Sequence, residues 1–417
     1  MICRFRVMDM KTRRNPGNPR ATLLLLFALT LLSRADARPL SGLSEDELKQ
    51  LEPALSRGVA SVIEADPQGK LKQVILATDI KARIETVYSL ISKPEQYPKF
   101  MHNFENIEIT DHHENMTGFN WEWVGSKMSF RGVCMLTSYP PKRVNVEILK
   151  SALGQGQVRV DLTDRGSSVT TAVLSMVLNI ETSNWIVQWL VKNHPTMRQA
   201  INLANGYVFM EGLKRGAEAR EKGKEMSPIQ GQAGGQAPSL PDYLLTAVEP
   251  LLKRGSVGFT ESYPQGRLHY ASVLQSVYTS PERIATVINR PSDYPAFIKL
   301  VKEVGHVSYS AERTLFSWKL GFPLTTLSST CQLEKKANGH TLRITDGDLK
   351  GSNWLWQVSV KSPTRSVVSF NGWADIAETN FIFRNMLKRE PLFEHGFNLA
   401  SDFVFVRGIR GRSEGWL

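Results

Sequence analysis

The segment Glu52-Pro53-Ala54-Leu55-Ser56-Arg57-Gly58 returns as Glu249-Pro250-Leu251-Leu252-Lys253-Arg254-Gly255, 197 positions later. Outward from it the same register holds from about residue 44 to 154. Pro67-Gln68-Gly69 answers to Pro264-Gln265-Gly266, and Pro94, Tyr97, Pro98 and Phe100 answer to Pro291, Tyr294, Pro295 and Phe297. Phe119, Trp121, Cys134 and Gly154 return as Phe316, Trp318, Cys331 and Gly351. After a one-residue slip the match resumes, with Asn202, Leu203 and Ala204 opposite Asn398, Leu399 and Ala400. A period far above the roughly 20–50 residues of solenoid repeats makes each copy long enough for its own core. The chain therefore divides into domains 44–222 and 241–417, and function is expected in what both copies keep.

Residues 1–37 read as a leader rather than as part of either copy. Arg4, Arg6, Lys11, Arg13, Arg14 and Arg20 precede the apolar run Leu23 to Leu32 and the small-x-small site Ala35-Asp36-Ala37. That order predicts a secretory signal peptide cleaved after Ala37, and hence a secreted or periplasmic protein. The run is too short for the roughly 20 residues of a membrane-spanning helix.

Of the formal charge of +11, the leader holds seven Lys/Arg and two Asp, which leaves +6 for the mature chain. The excess gathers at Lys214, Arg215, Arg220, Lys222 and Lys224, and at Arg384, Lys388, Arg389, Arg407, Arg410 and Arg412. Such clusters suit a solvated helix face or an anionic membrane surface. No nucleic-acid motif accompanies them, so nucleic acid is not an expected partner. Cys134 and Cys331 sit at equivalent places in alternating stretches, where period two puts them on apolar strand faces of separate domains. They are expected to be free thiols. Between the copies, Gly231-Gln232-Ala233-Gly234-Gly235-Gln236-Ala237-Pro238 marks 223–240 as a flexible linker. Two independently soluble halves in one monomer are expected.

Within a copy, Ser44-Glu45-Asp46-Glu47 is a capping box for a short helix that Pro53 should kink or restart. A hairpin is expected from Val59 to Ile80 around Asp66-Pro67-Gln68-Gly69, followed by a helix carrying Ile84, Val87 and Ile91. Further strands are expected near 105–111, 117–124, 127–138, 143–150 and, as a pair, 157–179. A helical segment with Ser183 or Thr379 as N-cap and a break at Pro195 or Pro391 closes each copy.

This order, with Tyr97-Pro98-Lys99-Phe100 and Tyr294-Pro295-Ala296-Phe297 after the short helix, resembles the START-like, helix-grip superfamily of polyketide cyclase/dehydrase and lipid-transport proteins. Within it the coenzyme-Q-binding START proteins look like the nearer relatives. The resemblance implies an α+β fold of two tandem helix-grip domains. Each is a curved antiparallel sheet of about seven strands packed on a long C-terminal helix around an apolar cavity.

Phe119, Trp121 and Trp123 alternate with polar residues, as do Phe316, Trp318 and Leu320, so the large side chains share one inward face. Tyr97, Phe100, Trp121 and Asn202, with Tyr294, Phe297, Trp318 and Asn398, are the candidate ligand-binding residues. The alternative is that the rings only fill the core. Acid-base candidates lack partners in the other copy: His102 faces Lys299, Glu122 faces Lys319 and His194 faces Glu390. Glu52/Glu249 and Arg57/Arg254 do match, and are expected to cap or pair locally. No metal spacing, phosphate loop or nucleophile elbow is present, and no cofactor is expected. The expected function is an exported carrier of a lipid, quinone, sterol or polyketide-like molecule. The alternatives are a cyclase or dehydratase acting on such a ligand, and an envelope interaction module with filled cavities.

Overall fold

The structure, a computed structural model, describes residues 40–417 except 67–69, 102–103, 125–128, 184–187, 189–190, 193–195, 323–324 and 338. The expected leader and its cleavage point lie outside those residues. So do the tip of the first hairpin and most of the expected helical segment before Pro195.

Repeat 1 opens with α1 (Glu45–Leu55). The capping box forms as read: Ser44 Oγ accepts from the Glu47 N–H and the Glu47 carboxylate accepts from the Ser44 N–H. Pro53 falls in the last turn, so the helix does not restart there but ends two residues later. Strands β1 (Ala60–Ala65) and β2 (Leu71–Ile80) form the expected antiparallel hairpin. Next come α2 (Ile84–Ile91), a 3-10 turn through Pro94–Lys99, and β3 (Phe104–His113) to β8 (Thr170–Asn179). These eight strands are joined in sequence order from β3 to β8, with β8 on β2 and β2 on β1. The long helix α3 (Met197–Glu221) packs on β2 and β8.

Repeat 2 follows the same plan, from α4 (Asp242–Val248) through β9 (Gly255–Ser262), β10 (Leu268–Val277) and α5 (Pro281–Ile288) to β11 (Val301–Tyr309). Five more strands run to β16 (Arg365–Trp373), and α6 (Phe381–Arg389) and α7 (Phe393–Glu414) end it. Here Pro250 does interrupt the first helix, which resumes as a 3-10 turn at Leu251–Lys253. The cap of α6 is Asn380, whose side chain accepts from the Phe383 N–H, while Thr379 donates back to the Ile376 carbonyl. Thr379 is therefore not the N-cap.

Among the described residues each repeat thus has eight strands rather than about seven. The additional one, β1 or β9, joins the copies. β1 pairs antiparallel with β9, giving one sheet of sixteen strands. In that ladder Ser61 faces Gly258, and Ala60 and Val62 face Phe259 and Val257. Ser61 and Gly258 are each other's equivalents, so the pairing is two-fold and self-complementary, as in an isologous dimer. Arg57 reaches across to Glu261 at 2.6 Å, and its equivalent Arg254 reaches back to Glu64 and, at 2.6 Å, to Glu47. The matched arginines therefore join the repeats rather than pairing locally. Burial alone would raise the Glu261 carboxyl, but bonds from Arg57 and Tyr270 outweigh it and hold it below the usual range. Gly58 and Gly255 match for a related reason: a Cβ on either would overlap a carbonyl oxygen of the other repeat, at Thr260 and Ile63.

Both faces of this seam are covered. Ala60, Val62, Ile75 and Ala77 meet Leu51, Leu55, Leu244 and Val248 of α1 and α4 in a core of their own. On the opposite face α3 packs against α7, where Gly396 lets the backbone approach Ala204 and the rings of Tyr207 and His395 stack at 5.6 Å. Strands covered on both sides read as continuous apolar runs, and β1 carries four successive buried residues. No helix among the described residues is long and apolar enough to cross a membrane.

The linker is not a free tether. Gly234 N–H donates to the Leu268 carbonyl, Ala237 N–H to Asn353 and Leu240 N–H to Gln357, while Asn353 and Tyr263 donate to the carbonyls of Gly235 and Gly234. Its Gly/Gln composition cannot bury much apolar area, but repeat 2 supplies polar side chains that hold its backbone. These bonds and the seam predict that the halves stay together. A protein cut within 223–240 is expected to elute from gel filtration as one particle of intact mass, and fragments that separate and unfold cooperatively alone would contradict the seam.

Candidate functional site

Repeat 1 encloses a cavity of about 380 Å³ between its sheet and α3, within the range of small-molecule sites. Period two on β4 (Met116–Val124) turns Phe119, Trp121 and Trp123 into it, as the alternation predicts. Val158 and Val160 of β7 (Gln155–Asp164) and Leu174 and Met176 of β8 line the sheet side, and Ile201, Val208 and Phe209 of α3 line the other. Part of the wall comes from repeat 2: Met386, Arg389 and Glu390 around the end of α6, and Phe393 and Gly396 of α7.

The equivalent space in repeat 2 holds rings. Strand pairing places the one-residue slip at the turn after β5 (Ser129–Tyr139), since Leu136 pairs with Val146 while its equivalent Leu333 pairs with Leu342. The expected position after Gly154 is therefore corrected to the Pro140-Pro141 turn. From there on Val158, Val160 and Leu174 correspond to Trp354, Trp356 and Phe370. Trp356 stacks on Phe370 at 4.0 Å, Trp354 on Phe370 at 5.7 Å, and Phe405 on Phe370 at 5.6 Å. Three indole or phenyl groups stand where repeat 1 has aliphatic side chains.

The eight candidate residues separate accordingly. Tyr97 and Trp121 line the cavity. The Tyr97 hydroxyl is committed to the Ile91 carbonyl at 3.0 Å, and that of Tyr294 to the Ile288 carbonyl at 2.5 Å, each fastening the end of a short helix. Phe100 wedges under Gly212 and Gly216 of α3, and Phe297 under Gly408 of α7. Trp318 packs on Phe316 and Phe405 at 5.8 and 5.7 Å. Asn202 accepts from the Leu178 N–H at 2.7 Å and donates to the Arg198 carbonyl at 2.9 Å. Asn398 does the same with Ala374 N–H at 2.6 Å and the Glu394 carbonyl at 2.9 Å. Both amides clamp the long helix to the end of a strand, so their matching reflects the fold and neither lies among the cavity-lining residues.

Polar chemistry at the cavity is sparse. Burial pushes the Cys134 thiol up to about 12, and Cys331 is raised for the same reason; both are free and buried. Burial also pushes the Glu390 carboxyl up to about 7, against the lowering influence of the Leu392 N–H and Arg215. Of the basic clusters, Arg215 donates to the Ser227 carbonyl, Arg410 pairs with Glu414 and Arg407 lies against Trp416, and Arg384 and Lys388 are exposed on α6. Glu390 and Arg389 were not among the candidates because their cavity belongs to the other repeat.

No known family model matches the chain, and no curated protein does. Solved structures that it is similar to include a protein of Thermus thermophilus, at 17% identity over 36% of this chain and 98% of that one, with a TM-score of 0.30. A di-domain ARO/CYC from the steffimycin biosynthetic pathway is 11% identical over 80% of this chain and 98% of that one, with a TM-score of 0.28. A START superfamily protein from Mycobacterium smegmatis is 14% identical over 36% of this chain and 97% of that one, with a TM-score of 0.27. At these scores the likenesses carry no functional weight.

Two outcomes are expected. Asn398→Ala leaves the Ala374 N–H buried without its acceptor and should cost about 1–3 kcal/mol in denaturant unfolding, with cavity binding unchanged. For Glu390, the unfolded carboxyl loses its proton near 4.5 and the folded one near 7. In that window the folded state holds more protons, so stability falls as pH rises, by up to about 3 kcal/mol. Glu390→Gln should remove that part of the slope, seen as a smaller difference between unfolding free energies at about pH 5 and about pH 8.

Proposed function

We propose that the protein binds or carries one hydrophobic small molecule, of the lipid, quinone, sterol or polyketide-like kind, in the cavity of repeat 1. The observation that carries this reading is the divergence at Val158, Val160 and Leu174, aliphatic beside a cavity of about 380 Å³ and replaced by stacked rings in repeat 2. Covering ~250 Å² of a ligand's apolar surface contributes on the order of 6 kcal/mol before association costs, enough for binding without an ion pair. Repeat 2 then serves as a filled partner that completes the wall. The large antiparallel sheet with long helices packed on it agrees with the coarse form of the START-like resemblance, and the reading joins naturally with export through the leader 1–37 and with contact between exposed Arg384 and Lys388 and an anionic membrane surface.

A second reading is an enzyme of the cyclase or dehydratase type working in the same cavity. Glu390 favours it, since a carboxyl brought near neutrality beside a bound ligand can exchange a proton. Tyr97 and Cys134 do not add to it, because the phenol is engaged and the thiol is held protonated.

The test uses the solution that repeat 2 already contains. Val160→Trp copies the residue found at Trp356, so the fold should accept it while the cavity fills. Mass spectrometry of organic extracts is expected to find a ligand in the wild type, and roughly tenfold less in Val160→Trp at a similar melting temperature. Equal ligand loads would remove the carrier reading. A recovered ligand that incubation with the wild type converts, and Glu390→Gln does not, would favour the enzyme.

A further inference from the structure

The face that α3 turns to the repeat 1 cavity is Ile201, Ala204, Asn205, Val208 and Phe209, the three- and four-residue spacing of one helix side. One of the five is an amide. Asparagine is a poorer helix former than leucine, because its side chain competes for nearby backbone groups, and in an apolar wall it forgoes the burial that leucine would give. The position therefore costs stability unless the amide has a use.

Asn205 Nδ2 donates to the Ile201 carbonyl at 2.9 Å, one turn back on the same helix. A carbonyl can only accept, so this bond fixes which end of the amide is nitrogen and leaves Oδ1 and the second Nδ2–H over. Neither has a partner among the described residues. Other polar groups on the cavity wall differ: the Tyr97 hydroxyl is engaged with the Ile91 carbonyl, and Arg389 and Glu390 have partners of their own. A purely apolar ligand seated against α3 would strip water from both free groups of Asn205 and return nothing, which is costly. A carboxylate would turn its oxygens toward Oδ1 and carry charge into an apolar chamber. One acceptor beside one donor matches a hydroxyl, whose hydrogen donates and whose oxygen accepts.

We infer that the ligand carries a neutral hydroxyl group that exchanges hydrogen bonds with the Asn205 amide, its apolar body lying against Phe119, Trp121 and Trp123. This inference rests on the carrier reading and adds the polar group to it.

The test titrates the full-length protein with 2-naphthol, 2-methoxynaphthalene and naphthalene at about pH 7, where a phenol is neutral, and reads each dissociation constant by equilibrium dialysis. The probes share one ring system and offer, in turn, a donor with an acceptor, an acceptor alone, and neither. The naphthol is expected to bind roughly tenfold more tightly than the other two, and Asn205→Leu should bring all three within about threefold. That variant replaces the amide by a better helix former of similar size, so its melting temperature should hold or rise, and Asn205→Ala serves as a second variant with the same expected loss of preference. Equal affinities in the wild type, or a preference for the naphthol that survives in both variants, would overturn the inference and leave the carrier reading standing. A ligand recovered from the wild type without any hydroxyl group would do the same. Absence of all binding, with Val160→Trp indistinguishable from wild type, would overturn both.

Discussion

The pairing of β1 with β9 is the constraint on which the rest depends. It fixes two edges that would otherwise be exposed, and it places α1 and α4 side by side on one face and α3 and α7 on the other. Those placements carry the end of α6 and the start of α7 against repeat 1, where they complete the cavity. Arg57, Gly58, Arg254 and Gly255 recur because each serves the same seam from opposite sides. The recurrence marks a join rather than a site.

The two copies have kept a backbone and parted in their interiors. Repeat 2 is packed with indole and phenyl groups in contact. Repeat 1 holds shorter side chains at the same places and therefore has room. The same register also explains why the linker, poor in apolar residues, is ordered: Asn353 and Gln357 of repeat 2 reach its backbone, taking the place of the core it lacks.

The strands, the capping box at Ser44 and the inward set Phe119, Trp121 and Trp123 were legible because each depends on neighbours a few residues away. What the sequence hid depends on distance along the chain. Arg57 looks like a local capping residue until Glu261 is brought beside it, and Glu390, known from the sequence only as the residue opposite His194, proves to be buried and to line the cavity of the other repeat. Asn202 and Asn398 were readable as matched polar groups, but a cavity anchor and a helix clamp leave the same trace in a repeat. Of what both copies keep, Tyr97 and Trp121 line the cavity, whereas Asn202 and Asn398 hold the long helices to their strands. The difference between Val160 and Trp356, on which the proposed function rests, is available in the sequence once the slip is placed at the Pro140-Pro141 turn.

In a self-associating pair of identical chains, one codon sets the same position in both subunits, so a tryptophan that closes one chamber closes the other. Covalent fusion of two copies across a two-fold seam lifts that coupling. Each half can then be altered once, and one can become a solid brace while the other stays hollow. The seam at Ser61 and Gly258 retains the geometry of equal partners. The gene that encodes it is free to treat them unequally.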